Sequence, residues 1–300
     1  MGTLDEAHIP VMPKEALELL HLPQGGVAVD GTLGLAGHAF LMAQALGPGG
    51  HLIAIDRDSA SLGQAKKKLI SLSLKIDLLQ GNFSSLDKIL ARLKVSVVDG
   101  ILLDLGISSF QLDDGSRGFA FRHDGPLDMR MDAQGQGITA EELVNTLKEE
   151  QLEKIISEFG EERFARRIAA AIMMQRARAR ITTTKGLADI VLRALPRGYT
   201  RGRIHPATRT FQALRIAVNE ELEELSLGLE VVFRMLKKGG RLCVISFHSL
   251  EDRLVKNKFK SWGMEREGII LTKRPLTASD EESAANPRSR SAKLRAIERA

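Results

Sequence analysis

Three short apolar runs, each closing on an aspartate, constrain this 300-residue chain more than anything else in it. They are Val27-Ala-Val-Asp30, His51-Leu-Ile-Ala-Ile-Asp56 and Gly100-Ile-Leu-Leu-Asp104, the last continuing into Leu105-Gly106. Runs of this length and composition read as buried strands. A fourth strand pattern lies at 75–81. Helical stretches separate them: one at 38–47, stopped by Gly47-Pro48-Gly49-Gly50, and one at 59–70. The second carries Lys66, Lys67 and Lys68 near its end, where the helix dipole favours cations. Strands alternating with helices predict right-handed crossovers and a parallel sheet.

The alternation then stops for about a hundred residues. Segment 107–137 is rich in Gly, Asp and Ser and reads as loop. Thr139-Ala-Glu-Glu142 is a capping box, and helices are expected near 149–158, 161–179 and 184–195. With no strand pattern among them, these form a helical insertion, followed by a basic, glycine-containing loop at 196–206. Sheet patterning returns after it. Apolar residues from Phe211 to Leu236 recur every three or four positions, as one stripe on a long helix. A coiled-coil seam would look the same, but the following strand at 241–247 favours a crossover helix. A last strand is expected in Ala292–Glu298. The domain boundaries are therefore 1–112 with 206–300 for a discontinuous sheet domain, and 113–205 for the insertion.

Charge divides along similar lines. The net charge of +5 hides 13 Lys+Arg against 3 Asp+Glu in residues 161–215, while the remainder is net acidic. Such a block is an electrostatic footprint for a polyanion, although solvated helix faces would also produce it. One cysteine, Cys243, excludes an intramolecular disulfide and a cysteine zinc site, so a reducing cytoplasm is expected. The seven histidines contain no ligand pair for a metal. No apolar run reaches membrane-spanning length, and residues 1–17 lack the features of a secretory signal. Aromatics are 4%, too few for a nucleic-acid stacking platform.

Chemistry is expected at the strand ends. Glycines 31, 34 and 37, after the first strand, let backbone approach a ligand closely. The same spacing would serve a tight turn with no ligand. Asp56, closing the next strand, suits a ribose diol or, alternatively, the cap of the following helix. Asp104, with Ser108 and Ser109 just beyond it, stands where reacting groups belong, or caps its own turn. There is no phosphate-binding loop, no dinucleotide fingerprint and no hydrolase elbow.

These segments together resemble the MraW family of small-subunit ribosomal RNA methyltransferases. The resemblance runs over roughly 8–300. It is carried by HIPVM (8–12), DGTLGLAGH (30–38), AIDRD (54–58), GILLDLGISSFQLDDGSRGFAF (100–121) and DGPLDMRMD (124–132). GEERFARRIA (160–169), HPATRTFQALRIAVNEEL (205–222), GGRLCVISFHSLEDRLVK (239–256) and NPRSRSAKLRAIER (286–299) complete it. It implies a Rossmann-like, S-adenosylmethionine-dependent methyltransferase sheet with an inserted helical domain. The implied activity is methylation of N4 of a cytidine in the decoding region of 16S ribosomal RNA. The small ribosomal subunit is the expected partner, with no DNA and no membrane. The implied cofactor residues are Ala36, Gly37, His38, Asp56, Phe83, Asp104 and Gln111, with Gly34 from the glycine-rich turn. Asp104, Ser108 and Ser109 are the candidates for accepting hydrogen bonds from the amine. Arg130, Arg209, Arg288 and Arg290 are expected to hold phosphates, and His205, His248 and Ser249 to touch the cytidine. One residue departs from the family pattern of Gly-Gly-His: Ala36 stands at the first glycine. A left-handed backbone there would strain it. Two rivals remain: a methyltransferase acting on DNA or protein, and a non-catalytic assembly factor that retains the fold.

Overall fold

The computed structural model describes residues 9–196, 199 and 205–300, so His8 and most of the basic loop at 196–206 fall outside the described residues. The chain divides into two compact units, residues 1–108 with 222–300, and residues 109–221.

The first unit opens with helix α1 (Pro13–Leu20) and then alternates: β1 (Val27–Asp30), α2 (Gly37–Leu46), β2 (His51–Asp56), α3 (Ser59–Leu69), β3 (Lys75–Gln80), α4 (Leu86–Leu93), β4 (Val98–Asp104). The helical unit contributes α5 (Ser109–Asp113), α6 (Ala140–Thr146), α7 (Glu149–Gly160), α8 (Ala165–Arg176), α9 (Thr184–Ala194) and α10 (Thr208–Asn219). Then come α11 (Glu221–Met235), β5 (Leu236–Ser246), α12 (Ser249–Met264), β6 (Gly268–Ile270), α13 (Asp280–Ala285) and β7 (Lys293–Arg299).

The seven strands lie in the order β3-β2-β1-β4-β5-β7-β6. The first five are parallel, as the alternation predicts. β7 is antiparallel to both β5 and β6, so the sheet is mixed rather than parallel throughout. Strand order reverses direction between β1 and β4, which opens a crevice at their carboxyl ends. Side-chain alternation builds a core on each face. Ala28, Leu52, Ala54, Leu102, Cys243 and Ile245 face one cluster with α1 and α2. Val29, Ile53, Ile55, Ile101, Leu103 and Val244 face the other, with α4, α11 and α12.

Three expectations need correction. The stripe from Phe211 to Leu236 is two helices: Glu220, at φ 51°, takes a left-handed backbone and breaks it. The helical unit extends to residue 221 rather than 205, because α10 packs on α7. That packing is tight at Gly160, where a Cβ would stand 2.7 Å from the Arg209 carbonyl oxygen. The stretch 107–137 also holds α5 and a 3-10 turn at Gly115–Arg117. The capping box at Thr139 forms as expected, with the Glu142 amide donating to its hydroxyl.

Candidate functional site

In the sheet unit, hydrogen bonds stitch the 30–38 loop to the two neighbouring strands, β2 and β4. The amide of Gly31 donates to the Leu102 carbonyl and that of Leu33 to the Ile55 carbonyl, both at 2.9 Å. The Asp56 carboxylate accepts from Gly34 N–H at 2.7 Å and from Asp58 N–H at 2.8 Å. Asp56 therefore fixes the glycine-rich loop, and the cap of α3 is Asp58 instead. Thr32 joins the loop to β4, its hydroxyl accepting from the Asp104 amide at 2.6 Å.

The loop then turns through two left-handed residues, Gly34 at φ 50° and Ala36 at φ 58°. Ala36 is fully buried and is the N-cap position of α2. An L-residue with a Cβ pays roughly 1–2 kcal/mol for this conformation. Gly37 opens the helix against Pro10, where a Cβ would come within 3.0 Å of the proline ring.

Two carboxylates end β1 and β4 side by side in the sheet. Asp30 is 1% exposed, and its Oδ2 has no hydrogen-bond partner; the same is true of Asp104 Oδ1. Burial raises both carboxyl groups to a pKa of about 7. The Asp56 charge pushes Asp30 further up, and its backbone bonds pull it down. For Asp104, the Arg288 guanidinium offsets part of the rise, while Asp30 and Glu251 add to it. His38, also buried, places Nε2 3.7 Å from Asp104 Oδ2. Arg288 donates to the Ile107 carbonyl.

One pocket gathers much of this set. Thr32, Gly34, His38, Asp104, Ser108 and Arg288 line it, together with Gly37, Gly106 and Phe247. Phe83 follows β3, and its ring lies against Gly228 of α11, where a Cβ would stand 2.3 Å from it. His248 caps α12, with Nδ1 3.4 Å from the Glu251 amide, and Ser249 begins that helix. Arg290 is exposed, its Nε donating to the Ser283 carbonyl.

The remaining candidates belong to the helical unit. Ser109 starts α5, and Gln111 is buried within it. Arg130 is fully engaged by a forked pair with Asp128 at 2.8 Å and by the Gly135 carbonyl. Arg209 donates to the Glu161 carbonyl but stays half exposed. His205 is exposed and packs on Phe121, ring centres 4.4 Å apart. Sequence reasoning passed over Thr32, Glu251 and Phe247. Thr32 and Phe247 lie inside quoted motifs, yet nothing in spacing marks a hydroxyl that accepts a distant amide or a ring that walls a pocket.

The site can do two things. Buried carboxylate oxygens without donors favour a cationic ligand. A carboxyl poised near neutrality can also accept a proton. The family model for the MraW methylase family matches residues 5–300. Among curated relatives, the ribosomal RNA small subunit methyltransferase H of Geobacter sulfurreducens is 52% identical, with 98% of this chain and 99% of that one aligned. Its counterpart from Syntrophotalea carbinolica is 50% identical over 97% and 98%. A methyltransferase from Streptococcus mutans, solved with SAH, is far more distant, at 11% identity and a TM-score of 0.48 over 97% of this chain and 98% of that one. On sequence, over nearly its whole length, the chain belongs to the MraW methylase family.

Proposed function

We propose that the chain transfers a methyl group from S-adenosylmethionine to N4 of a cytidine in the decoding region of small-subunit ribosomal RNA. Family membership carries the reaction, since methylation of cytidine N4 in this RNA is the known activity of the family. One local observation supports the placement of the cofactor: the donorless oxygens of Asp30 and Asp104 at the β1/β4 crevice. The residues fit a cationic cofactor. Gly34, Ala36, Gly37 and His38 are the loop that would hold it, with Asp56, Phe83 and Gln111 as the remaining candidates. When bound, the cofactor supplies an electrophilic methyl on a sulfonium, so the chemistry needs no metal.

The difficulty lies with the acceptor. The amine of cytosine shares its lone pair with the ring and is a weak nucleophile. A group that accepts hydrogen bonds from this amine turns it towards a tetrahedral geometry and then takes the surplus proton. We assign that role to Asp104, whose raised pKa lets the carboxylate gain a proton near neutral pH. Ser108 and Ser109 follow it and are the alternatives. The base must leave any stack to enter such a crevice. Arg209, Arg288 and Arg290 would hold neighbouring phosphates, with His205, His248 and Ser249 near the base. Arg130 is the weakest of the assigned phosphate ligands, because its guanidinium is already committed. The test is label transfer from S-adenosylmethionine to small subunits, with duplex DNA and protein as controls. Mass spectrometry of the RNA should show one new N4-methylcytidine; label on DNA or protein alone would overturn the reading.

A further inference from the structure

In the helical unit, α8 and α9 pack together, and beside their seam lies a groove of about 410 Å³. Its floor is apolar, formed in part by Ala171, Met174 and Ile190, and its rim carries Arg167, Arg178 and Arg193. Met174 is 64% exposed and stands in the groove among these arginines.

The arginines here fall into two groups. Arg176 donates to the Val144 carbonyl at 3.0 Å, and Arg180 pairs with Glu141 at 2.6 Å. Arg167, Arg178 and Arg193, all exposed, have no carboxylate partner among the described residues, and no acid lines the groove. α8 contains no acidic residue, and Asp189, the one acid of α9, is solvent-exposed. Arg167 lies in the first turn of α8 and Arg178 two residues past its end, so the two are separated by about the length of the helix, roughly 16 Å. Three uncommitted guanidinium groups around an apolar floor match a strand with an anionic backbone and flat apolar faces.

We propose that this groove docks a segment of RNA other than the target base, with Arg167, Arg178 and Arg193 on phosphates and Met174 against a base or sugar. The proposal rests on the reading of the substrate as ribosomal RNA. An acidic protein segment would satisfy the arginines too; the excess of basic residues across 161–215 favours the more highly charged RNA.

The experiment uses the full chain with Arg167→Gln, Arg178→Gln and Arg193→Gln combined. The KM for small subunits should rise about tenfold, with kcat and the KM for S-adenosylmethionine within twofold of the parent. The logarithmic salt dependence should flatten by about 2, since each lost contact to a single strand removes roughly 0.7. Ala171→Trp, which fills the groove and keeps every charge, should move KM the same way. Lys66→Gln, Lys67→Gln and Lys68→Gln combined remove equal charge from α3 and should leave KM unchanged. A photoreactive phenylalanine analogue at position 174 should crosslink to RNA. An unchanged KM and salt slope in the arginine variant overturns the proposal. So does an equal effect of the lysine variant, or a crosslink confined to ribosomal protein. The crosslink is read whether or not methyl transfer occurs, so failure of the activity assignment is separable from failure of the groove.

Discussion

The two units keep their charges in opposite ways. In the sheet unit, Asp30 and Asp104 stand at the ends of central strands, each with one oxygen that has no donor, and both are pushed towards neutrality. In the helical unit, exposed arginines line a groove with almost no acids near them. Buried charge is expensive and belongs where it acts at a defined atom; exposed charge is inexpensive and acts at range on a polyanion. The first arrangement suits a chemical step, the second the gathering of a large substrate.

Changes at the buried pair should therefore act on turnover. Asp104→Ala, with saturating cofactor, should lower kcat on small subunits by about 100-fold, in the range usual for a lost acid–base group. Full turnover would remove Asp104 from the chemistry. Reversing charge in the helical unit, with Arg166, Arg167 and Arg178 all changed to Glu, should instead raise KM roughly 30-fold and leave cofactor affinity alone. A fall in kcat with constant KM would erase the contrast between the units.

The third prediction concerns pH. Burial raises Asp30 from 3.8 to about 7, so its folded form holds a proton that the unfolded chain has lost. The stability linked to this group is complete below about pH 4 and is lost as pH rises through 7. Ligand-free protein should thus melt at lower temperature at pH 8 than at pH 5, and Asp30→Asn should reduce the difference. A cation in the crevice favours the ionised form, so S-adenosylmethionine should bind about tenfold more tightly at pH 8 than at pH 6, by calorimetry. A flat profile would mean the carboxylates do not meet the cation.

Smaller effects test the scaffold. Gly228→Ala places a Cβ 2.3 Å from the Phe83 ring and should cost about 1–2 kcal/mol of stability in denaturant titration. If Phe83 contributes to the cofactor site, affinity should fall with it. Ala36→Gly relieves the left-handed strain but frees the unfolded chain. A net gain of at most about 1 kcal/mol is expected, with a matching rise in cofactor affinity. A loss would show that the buried methyl group contributes more through packing than its backbone costs.

Much of this was legible in the chain. The three aspartate-ended runs marked β1, β2 and β4, because strands buried on both faces carry their own apolar signature. The motif at 30–38 located the crevice. Three things escaped. The break at Glu220 is invisible to periodicity, because the apolar phase continues across a left-handed residue. The short edge strand β6 has three residues, too few for a pattern. The pairing of Thr32 with the Asp104 amide joins residues 72 apart, and only the strand order brings them together.

The placement of β7 has a consequence for the order of assembly. β6 precedes β7 in the chain but reaches the sheet only through it, since β7 pairs with β5 on one side and β6 on the other. Until residues 293–299 emerge during synthesis, β5 presents an open edge and β6 has no neighbour. Arg288, which tempers Asp104, arrives in the same late segment. The crevice thus waits on a segment made well after β1 and β4, so a growing chain cannot complete it early. A chaperone able to shield the β5 edge should raise the folded yield more than one that acts on the helical unit.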